Sequence, residues 1–107
     1  MGTLLAYASS FANYCICSSH YDVISAPFVG WDSDPFTLTG RNGYLYGRGV
    51  TDDKGPIIAM ACAAAELLSR RALGLDLVML IEGEEECGSS GFADAVQKHK
   101  VFQRLCL

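Results

Sequence analysis

An imidazole and several carboxylates stand in two short segments of this 107-residue chain, at places where buried strands are expected to end. His20 and Asp22 occupy the first segment, and the second is the run 82–86, in which four of five residues are glutamate. Buried groups of these types are stable only when hydrogen bonds or a cation satisfy them. Imidazole nitrogen and carboxylate oxygen are donors that zinc and similar divalent ions accept. The pattern therefore predicts a divalent-metal site, and such a site points to a hydrolase.

Each of these residues also has a simpler structural explanation. A single histidine such as His20 is more often an ordinary, partly buried side chain, and an acidic run such as 82–86 is more often an exposed turn. Asp52 and Asp53 precede an expected helix start, where carboxylates commonly cap the helix. Position favours the functional interpretation, because ligands in open α/β sheets gather at the carboxyl ends of strands. Asp22 can accept the second ring N–H of His20 and so fix which nitrogen faces a metal.

Composition and charge exclude several classes of protein. Half of the residues are hydrophobic and 19% are charged, which indicates one small globular domain. The net charge of -4, without a run of Lys or Arg, argues against a nucleic-acid partner and against an anionic membrane surface. The first nineteen residues have no basic side chain and are interrupted by polar residues, so they resemble neither a signal peptide nor a membrane span. We expect a cytoplasmic protein.

The five cysteines form an odd set without the spacing of a disulfide framework, which indicates reduced thiols. Cys15 and Cys17 fall on one face of an expected strand and are conceivable thiolate ligands. No second cysteine pair with zinc-site spacing accompanies them, so we expect both to be packing thiols.

Two strands and a hairpin are predicted from the apolar pattern. Residues 14–18 alternate like a strand that ends at His20, and residues 75–81 form a continuous apolar strand of the kind covered on both faces. The pair Asn42-Gly43 predicts a hairpin turn, because both residues tolerate positive φ. The β-prone runs on either side of this turn are 36–39 and 44–46.

Two helices are predicted as well. Helical spacing begins at Pro56, which suits the first turn of a helix, and Gly74 is expected to stop this helix. Ser89 or Ser90 is expected to cap a second helix over about 92–100.

The order of these elements predicts an α/β fold with a mixed, mostly parallel sheet and flanking helices. A hairpin strand, a helix and a further strand would make a crossover onto a parallel sheet. Residues 14–107 are expected to form the packed part, and residues 1–13 have no clear period and no assigned element.

Four segments together resemble one enzyme family, the co-catalytic zinc peptidases. This family includes carnosine dipeptidase, aminoacylase, glutamate carboxypeptidase and acetylornithine deacetylase, and the resemblance is strongest toward the dipeptidase branch. The segments occur in the family's order and with its ordinary spacing: 20–23 (HYDV), 31–36 (WDSDPF), 43–56 (GYLYGRGVTDDKGP) and 82–89 (EGEEECGS). The resemblance implies that 14–107 is the amino-terminal part of a zinc-peptidase catalytic domain, without the dimerisation domain and the carboxyl-terminal part.

The resemblance also implies a role for five residues. His20 matches a ligand of the first metal, Glu86 matches a ligand of the second, and Asp52 matches the carboxylate that bridges them. Asp22 matches the aspartate that supports the histidine ligand. Glu85 matches the general base.

The implied cofactors are two divalent metal ions, zinc by family default, with Mn²⁺ as an alternative that carboxylate-rich sites accept. The implied reaction is metal-dependent hydrolysis of a peptide or amide bond in a small peptide, of the dipeptidase or carboxypeptidase kind. Full-length relatives are expected to be homodimers or parts of a peptidase complex. The family also has a non-proline cis peptide after the bridging aspartate, which falls here at Asp52-Asp53.

The chain departs from the family after Glu86. Further metal ligands are expected there, and the one imidazole is His99, between two lysines at an expected helix end. Each ion would keep two of its three protein ligands and would bind weakly. Three hypotheses therefore stand side by side: a fragment of a dipeptidase-type metallopeptidase, a noncatalytic interaction subunit of a peptidase complex that retains the fold, and an inactive truncated fragment.

Overall fold

The computed structural model describes residues 4–7 and 13–98. They form a mixed α/β fold that consists of a three-stranded sheet, a separate two-stranded hairpin and two helices. The elements in chain order are β1 (Leu4–Tyr7), β2 (Tyr14–His20), β3 (Thr39–Arg41), β4 (Tyr44–Tyr46), α1 (Gly55–Ser69), β5 (Asp76–Glu82) and α2 (Phe92–Lys98). The predicted α/β class is confirmed.

The sheet has the strand order β1-β5-β2, with β5 in the centre. β2 and β5 are parallel over seven residue pairs, from Tyr14 opposite Asp76 to His20 opposite Glu82. Both strands therefore end at the same edge of the sheet. The core on one face consists of Val78, Leu80 and Val96, with Ile16 and Phe92 packed against them.

β1 is an element that the sequence pattern did not predict. Its four residues pair antiparallel with β5, from Leu4 opposite Ile81 to Tyr7 opposite Val78. An apolar run without period two carries no strand signal of its own, and the open edge of β5 decides its conformation. The other residues of the unassigned segment 1–13, apart from Asn13, lie outside the described residues, as does everything after Lys98.

The hairpin turn is confirmed, but one strand and the crossover were placed wrongly. Asn42 and Gly43 have φ of 52° and 80°, as a tight hairpin turn requires. The strand predicted at 36–39 is instead at Thr39–Arg41, because the Asp34 carboxylate accepts hydrogen bonds from the Phe36 N–H and the Thr37 hydroxyl and holds a turn there. The hairpin also forms its own two-stranded sheet, so the parallel pair is β2 with β5.

α1 begins as predicted, with Pro56 in its first turn, but it ends earlier than Gly74. The chain leaves the helix after Ser69, where Arg70 is the last residue near helical geometry and Arg71 has φ of 52°. None of the α1 side chains is fully buried. α2 starts at Phe92, whose N–H donates to the backbone carbonyl of Ser89, 3.0 Å away.

Ser90 does not cap α2, because its hydroxyl donates to the Glu84 carboxylate at 3.3 Å. Within the described ranges, neither helix has the length and apolar character needed to cross a bilayer.

Candidate metal centre

The carboxyl end of β2 presents His20 to a carboxylate from a distant part of the chain. His20 is 8% exposed, and its Nε2 lies 2.9 Å from Oδ1 of Asp52. Asp52 belongs to the turn Val50–Lys54, which leads into α1 and leaves the Asp52 side chain 75% exposed. The backbone of Asp52 is extended within this turn (φ -132°, ψ 94°), and Gly49 enters it at φ 82°. A buried nitrogen thus faces a solvent-accessible carboxylate.

Asp22 ties the end of β2 to the acidic segment after β5. Its Oδ1 accepts a hydrogen bond from the Glu85 N–H at 3.2 Å, and its Oδ2 accepts one from the Glu86 N–H at 3.0 Å. The same Oδ1 lies 3.4 Å from Nδ1 of His20, at the long limit of a hydrogen bond. We call this set of three contacts the Asp22 clamp.

The two glutamates that the clamp holds differ in where their carboxylates lie. Oε2 of Glu85 is 3.9 Å from His20 Nε2, and its side chain is 51% exposed. Glu86 is half-buried, and its contact in the described structure is through its backbone N–H. Both lie in a short 3₁₀ turn, Glu85–Cys87, in which the Cys87 N–H donates to the backbone carbonyl of Glu84. The structure therefore brings together His20, Asp22, Asp52 and Glu85, and places Glu86 beside them along the chain.

The charges around His20 favour a positive charge on its ring. Burial lowers the pKa of His20, but the hydrogen bond with Asp52 and the negative charges of Glu85 and Asp52 outweigh burial, so the pKa is raised above its usual value. Burial likewise raises the pKa of Asp22, and the N–H groups of Glu86 and Glu85 more than reverse this, so the pKa is lowered. Negative charges that favour a proton on the His20 ring also favour a metal cation in the same place.

The donor atoms, an imidazole nitrogen and carboxylate oxygens, are of the types that bind a divalent ion. Two donors about 2.0 Å from one tetrahedral ion lie about 3.3 Å apart, close to the 2.9 Å between His20 Nε2 and Asp52 Oδ1. The buried Nδ1 of His20 has no hydrogen-bond partner of good geometry, and Oδ1 of Asp22 faces it from 3.4 Å. Among the described residues, no three His, Cys, Asp or Glu side chains converge closely enough to enclose an ion. The donor atoms of the described residues are thus of the type that binds a divalent ion, but they are too few to enclose one.

The peptide bond between Asp52 and Asp53 is cis, as the resemblance implied. The alternative that Asp53 caps α1 is not supported, because Lys54 occupies the capping position and no side chain there bonds to the helix. The other histidine, His99, lies outside the described residues.

Sequence reasoning missed two features of this site. It assigned Asp22 to the imidazole alone, whereas Asp22 also holds the backbone of the glutamate segment. Gly83 was not singled out, yet a methyl group there would overlap the ring of Tyr21, so glycine lets the acidic segment approach the β2 end. One signal could have indicated the second role of Asp22: the N–H groups at the start of a 3₁₀ turn have no partner within the turn and need an acceptor from elsewhere.

Several known proteins are similar to this chain in sequence. "Probable di- and tripeptidase DUG2" of Saccharomyces cerevisiae is 47% identical over 81 residues, which are 75% of this chain and 9% of that protein. "Cys-Gly metallodipeptidase dug1" of Schizosaccharomyces pombe is 45% identical over 85 residues, which are 74% of this chain and 17% of that protein. The chain therefore spans less than a fifth of the length of these curated relatives.

Solved structures show the same fold. Human carnosine dipeptidase 1 superposes with a TM-score of 0.80 at 36% identity, over 92% of this chain and 22% of that one. An M20 family metallo-carboxypeptidase from Sulfolobus solfataricus superposes with a TM-score of 0.81 at 34% identity, over 90% of this chain and 22% of that one. Residues 16–105 match the family described as Peptidase family M20/M25/M40. The chain belongs to this peptidase family.

Proposed function

We propose that this chain supplies the His20, Asp52 and Glu86 donors of a two-metal centre that hydrolyses the peptide bond of a dipeptide or another small peptide. The observation that carries the proposal is the convergence of His20 Nε2 with the carboxylates of Asp52 and Glu85, 2.9 and 3.9 Å away. The dipeptidases among the relatives support the substrate class. The donor set suits Zn²⁺ and also accepts Mn²⁺.

Different residues of the chain have different roles in the proposed hydrolysis. His20 and Asp52 would hold a first ion and Asp52 and Glu86 would hold a second, and the Asp22 clamp fixes the imidazole and the glutamate segment relative to each other. When bound, the ions acidify a water molecule and polarise the amide carbonyl. Glu85 has an accessible carboxylate next to the ligands, so it takes the proton of the attacking water and later delivers it to the leaving amine.

A noncatalytic role is the second candidate, and one observation favours it. Among the described residues, no group of three His, Cys, Asp or Glu side chains has the geometry to hold an ion, so a complete site would need donors from elsewhere. In that case the chain is a fold-retaining interaction subunit of a peptidase complex, or an inactive fragment. We also propose a reducing compartment such as the cytoplasm, supported by the odd number of cysteines.

A charge-neutral substitution of the proposed base tests the catalytic role. In the longest natural polypeptide that contains this sequence, Glu85→Gln should lower dipeptide turnover by about 10²- to 10⁴-fold, because proton transfer is lost. Zinc content should stay the same, since Glu85 is not among the proposed ligands. Metal content is read by mass spectrometry and turnover by release of free amino acid.

Glu84→Gln is the matched control, because Glu84 neighbours Glu85 but its carboxylate bonds to the Ser90 hydroxyl. It should leave turnover close to normal. Undiminished turnover in Glu85→Gln would contradict the role of Glu85. An unsubstituted protein that binds no zinc and cleaves no dipeptide would favour the noncatalytic role.

A further inference from the structure

Two cysteines on β2 form a sulfur pair that the proposed peptide hydrolysis does not use. Cys15 is exposed and Cys17 is half-buried, and both thiols are free. Their Sγ atoms lie 4.0 Å apart. The expectation that both are packing thiols is therefore wrong for Cys15, which is exposed.

The pair lies on the face of the sheet opposite the core. Ile16, between the two cysteines, packs against the core of Val78, Leu80 and Val96. Because successive strand residues point to opposite faces, Cys15 and Cys17 share the other face. Their separation along the strand is fixed by the backbone, and the parallel pairing of β2 with β5 holds that backbone in place.

A third sulfur belongs to the same face. Met79 on β5 is the register partner of Cys17, and register partners in a sheet have their side chains on the same face. Two thiols and one thioether are soft donors, which select Cu(I) over the hard ions that carboxylates prefer. His20, Asp52 and Glu86 offer nitrogen and oxygen donors instead, and no residue belongs to both sets.

The spacing of the two thiols suits chelation better than a disulfide. Two metal–sulfur bonds of about 2.3 Å reach sulfurs 4.0 Å apart at an angle of about 120° at the ion, which is the angle of three-coordinate geometry. Residues two apart on a strand have Cα atoms about 6.6 Å apart, near the upper limit for a disulfide. The extended backbone therefore presents the thiols side by side at a separation that is near the limit for a disulfide bond.

We propose that Cys15 and Cys17, with Met79 as a third donor, form a binding site for a soft metal ion, Cu(I). Binding releases the thiol protons to solvent and changes no oxidation state. Burial first, and the neighbouring Cys15 thiol second, raise the pKa of Cys17, so the unloaded Cys17 thiol carries a proton that the ion must displace. The site lies on the same strand as His20 but on residues that the peptidase centre leaves free.

Copper titration of the 107-residue chain tests this site. Cu(I), kept reduced by ascorbate, is titrated against a colorimetric chelator, first with a variant in which Cys62, Cys87 and Cys106 are all serine. One ion per chain should bind. Cys15→Ser or Cys17→Ser should weaken binding about 100-fold, because the second thiol acts at high effective concentration.

Matched substitutions separate this site from adventitious thiol binding. Cys62→Ser and Cys87→Ser remove exposed thiols elsewhere and should leave the affinity unchanged. Met79→Leu, which preserves volume, should weaken binding, whereas Met60→Leu on α1 should not. Alkylation followed by peptide mapping should show that Cu(I) protects Cys15 and Cys17 together while Cys62 and Cys87 still react.

The fold requirement is tested by repeating the titration in guanidinium, with circular dichroism reporting whether the chain is folded. Weaker binding by the unfolded chain supports a preformed site. Equal affinity in the folded and unfolded chain, equal protection of all cysteines, or the same loss from Cys62→Ser as from Cys15→Ser would overturn the proposal. Asp52→Ala should leave Cu(I) affinity unchanged, so a failure of the peptidase proposal does not affect this result.

Discussion

Asp22 has the most connected role among the residues of the site. One carboxylate accepts two backbone N–H groups from the glutamate segment and faces the buried nitrogen of His20. Mutation of a residue that orients a metal ligand in this way typically lowers metal affinity by about 10- to 100-fold. The Asp22 side chain therefore links the end of β2 to the 3₁₀ turn that follows β5.

Asp22→Asn should weaken zinc binding about 10- to 100-fold, because the amide offers one oxygen instead of two and carries no charge. Isothermal titration calorimetry of the chain with Zn²⁺ measures the change. Asp94→Asn, at an exposed position in the first turn of α2, is the control and should bind zinc like the unsubstituted chain. Equal affinities for both variants would show that the clamp does not orient the metal site.

The turn Val50–Lys54 decides where Asp52 points, and its tightness depends on Gly55. A methyl group on Gly55 would overlap the backbone carbonyl of Val50, which cannot move without opening the turn. Gly74 is a suitable contrast, because no atom lies within 4 Å of the position of its missing methyl group.

Gly55→Ala should destabilise the fold by more than about 1 kcal/mol and lower zinc affinity, because the turn must open. Gly74→Ala should be neutral or slightly stabilising, since it reduces the freedom of the unfolded chain. Urea unfolding gives the stability, and hydrogen exchange of the 50–54 amides shows whether the effect is local. Similar stability and zinc affinity in both variants would contradict the importance of the turn.

Periodicity and turn chemistry explain which elements the sequence predicts. β2 and its end at His20 follow from alternation, and the turn at Asn42-Gly43 follows from residues that tolerate positive φ. β1 was missed because its pairing with β5 is a long-range interaction without a local pattern. The early end of α1 at Ser69 was missed because Arg71, a residue type with no preference for positive φ, adopts it here.

The site was predicted in type but not in detail. Residue types and their positions at strand ends indicate a metal site, and the family resemblance supplies Asp52, which lies 32 residues from His20. The Asp22 clamp depends on how β2 and the 3₁₀ turn approach each other. No local pattern in the sequence predicts how close β2 and this turn lie to each other.

At the scale of the molecule, the described part of the chain leaves much apolar surface uncovered. Among the residues whose side chains the structure describes, five hydrophobic residues are buried and twelve large hydrophobic residues are exposed. An apolar groove of about 600 Å³ lies between the hairpin and α1. Its apolar lining includes Phe36, Leu38, Leu45 and Ile58. Surfaces of this kind drive association.

The isolated 107-residue chain should therefore self-associate and bind a hydrophobic dye. Leu45→Ser combined with Ile58→Ser should reduce both, because the groove loses two of its exposed apolar side chains. Sedimentation velocity and dye fluorescence provide the two readouts. Ala63→Ser, exposed on α1 and outside the groove, is the control and should have little effect. A monomer that binds no dye would contradict this prediction.

Anomalous diffraction at the zinc edge, from crystals of the protein grown with zinc, locates the ion without any assumption about ligands. We predict a zinc peak within bonding distance of His20 Nε2 and a carboxylate oxygen of Asp52. Glu86 should lie beside it and the clamp should be intact. A zinc peak remote from these side chains, with His20 still bonded to Asp52, would contradict the assignment of this strand edge as a metal centre.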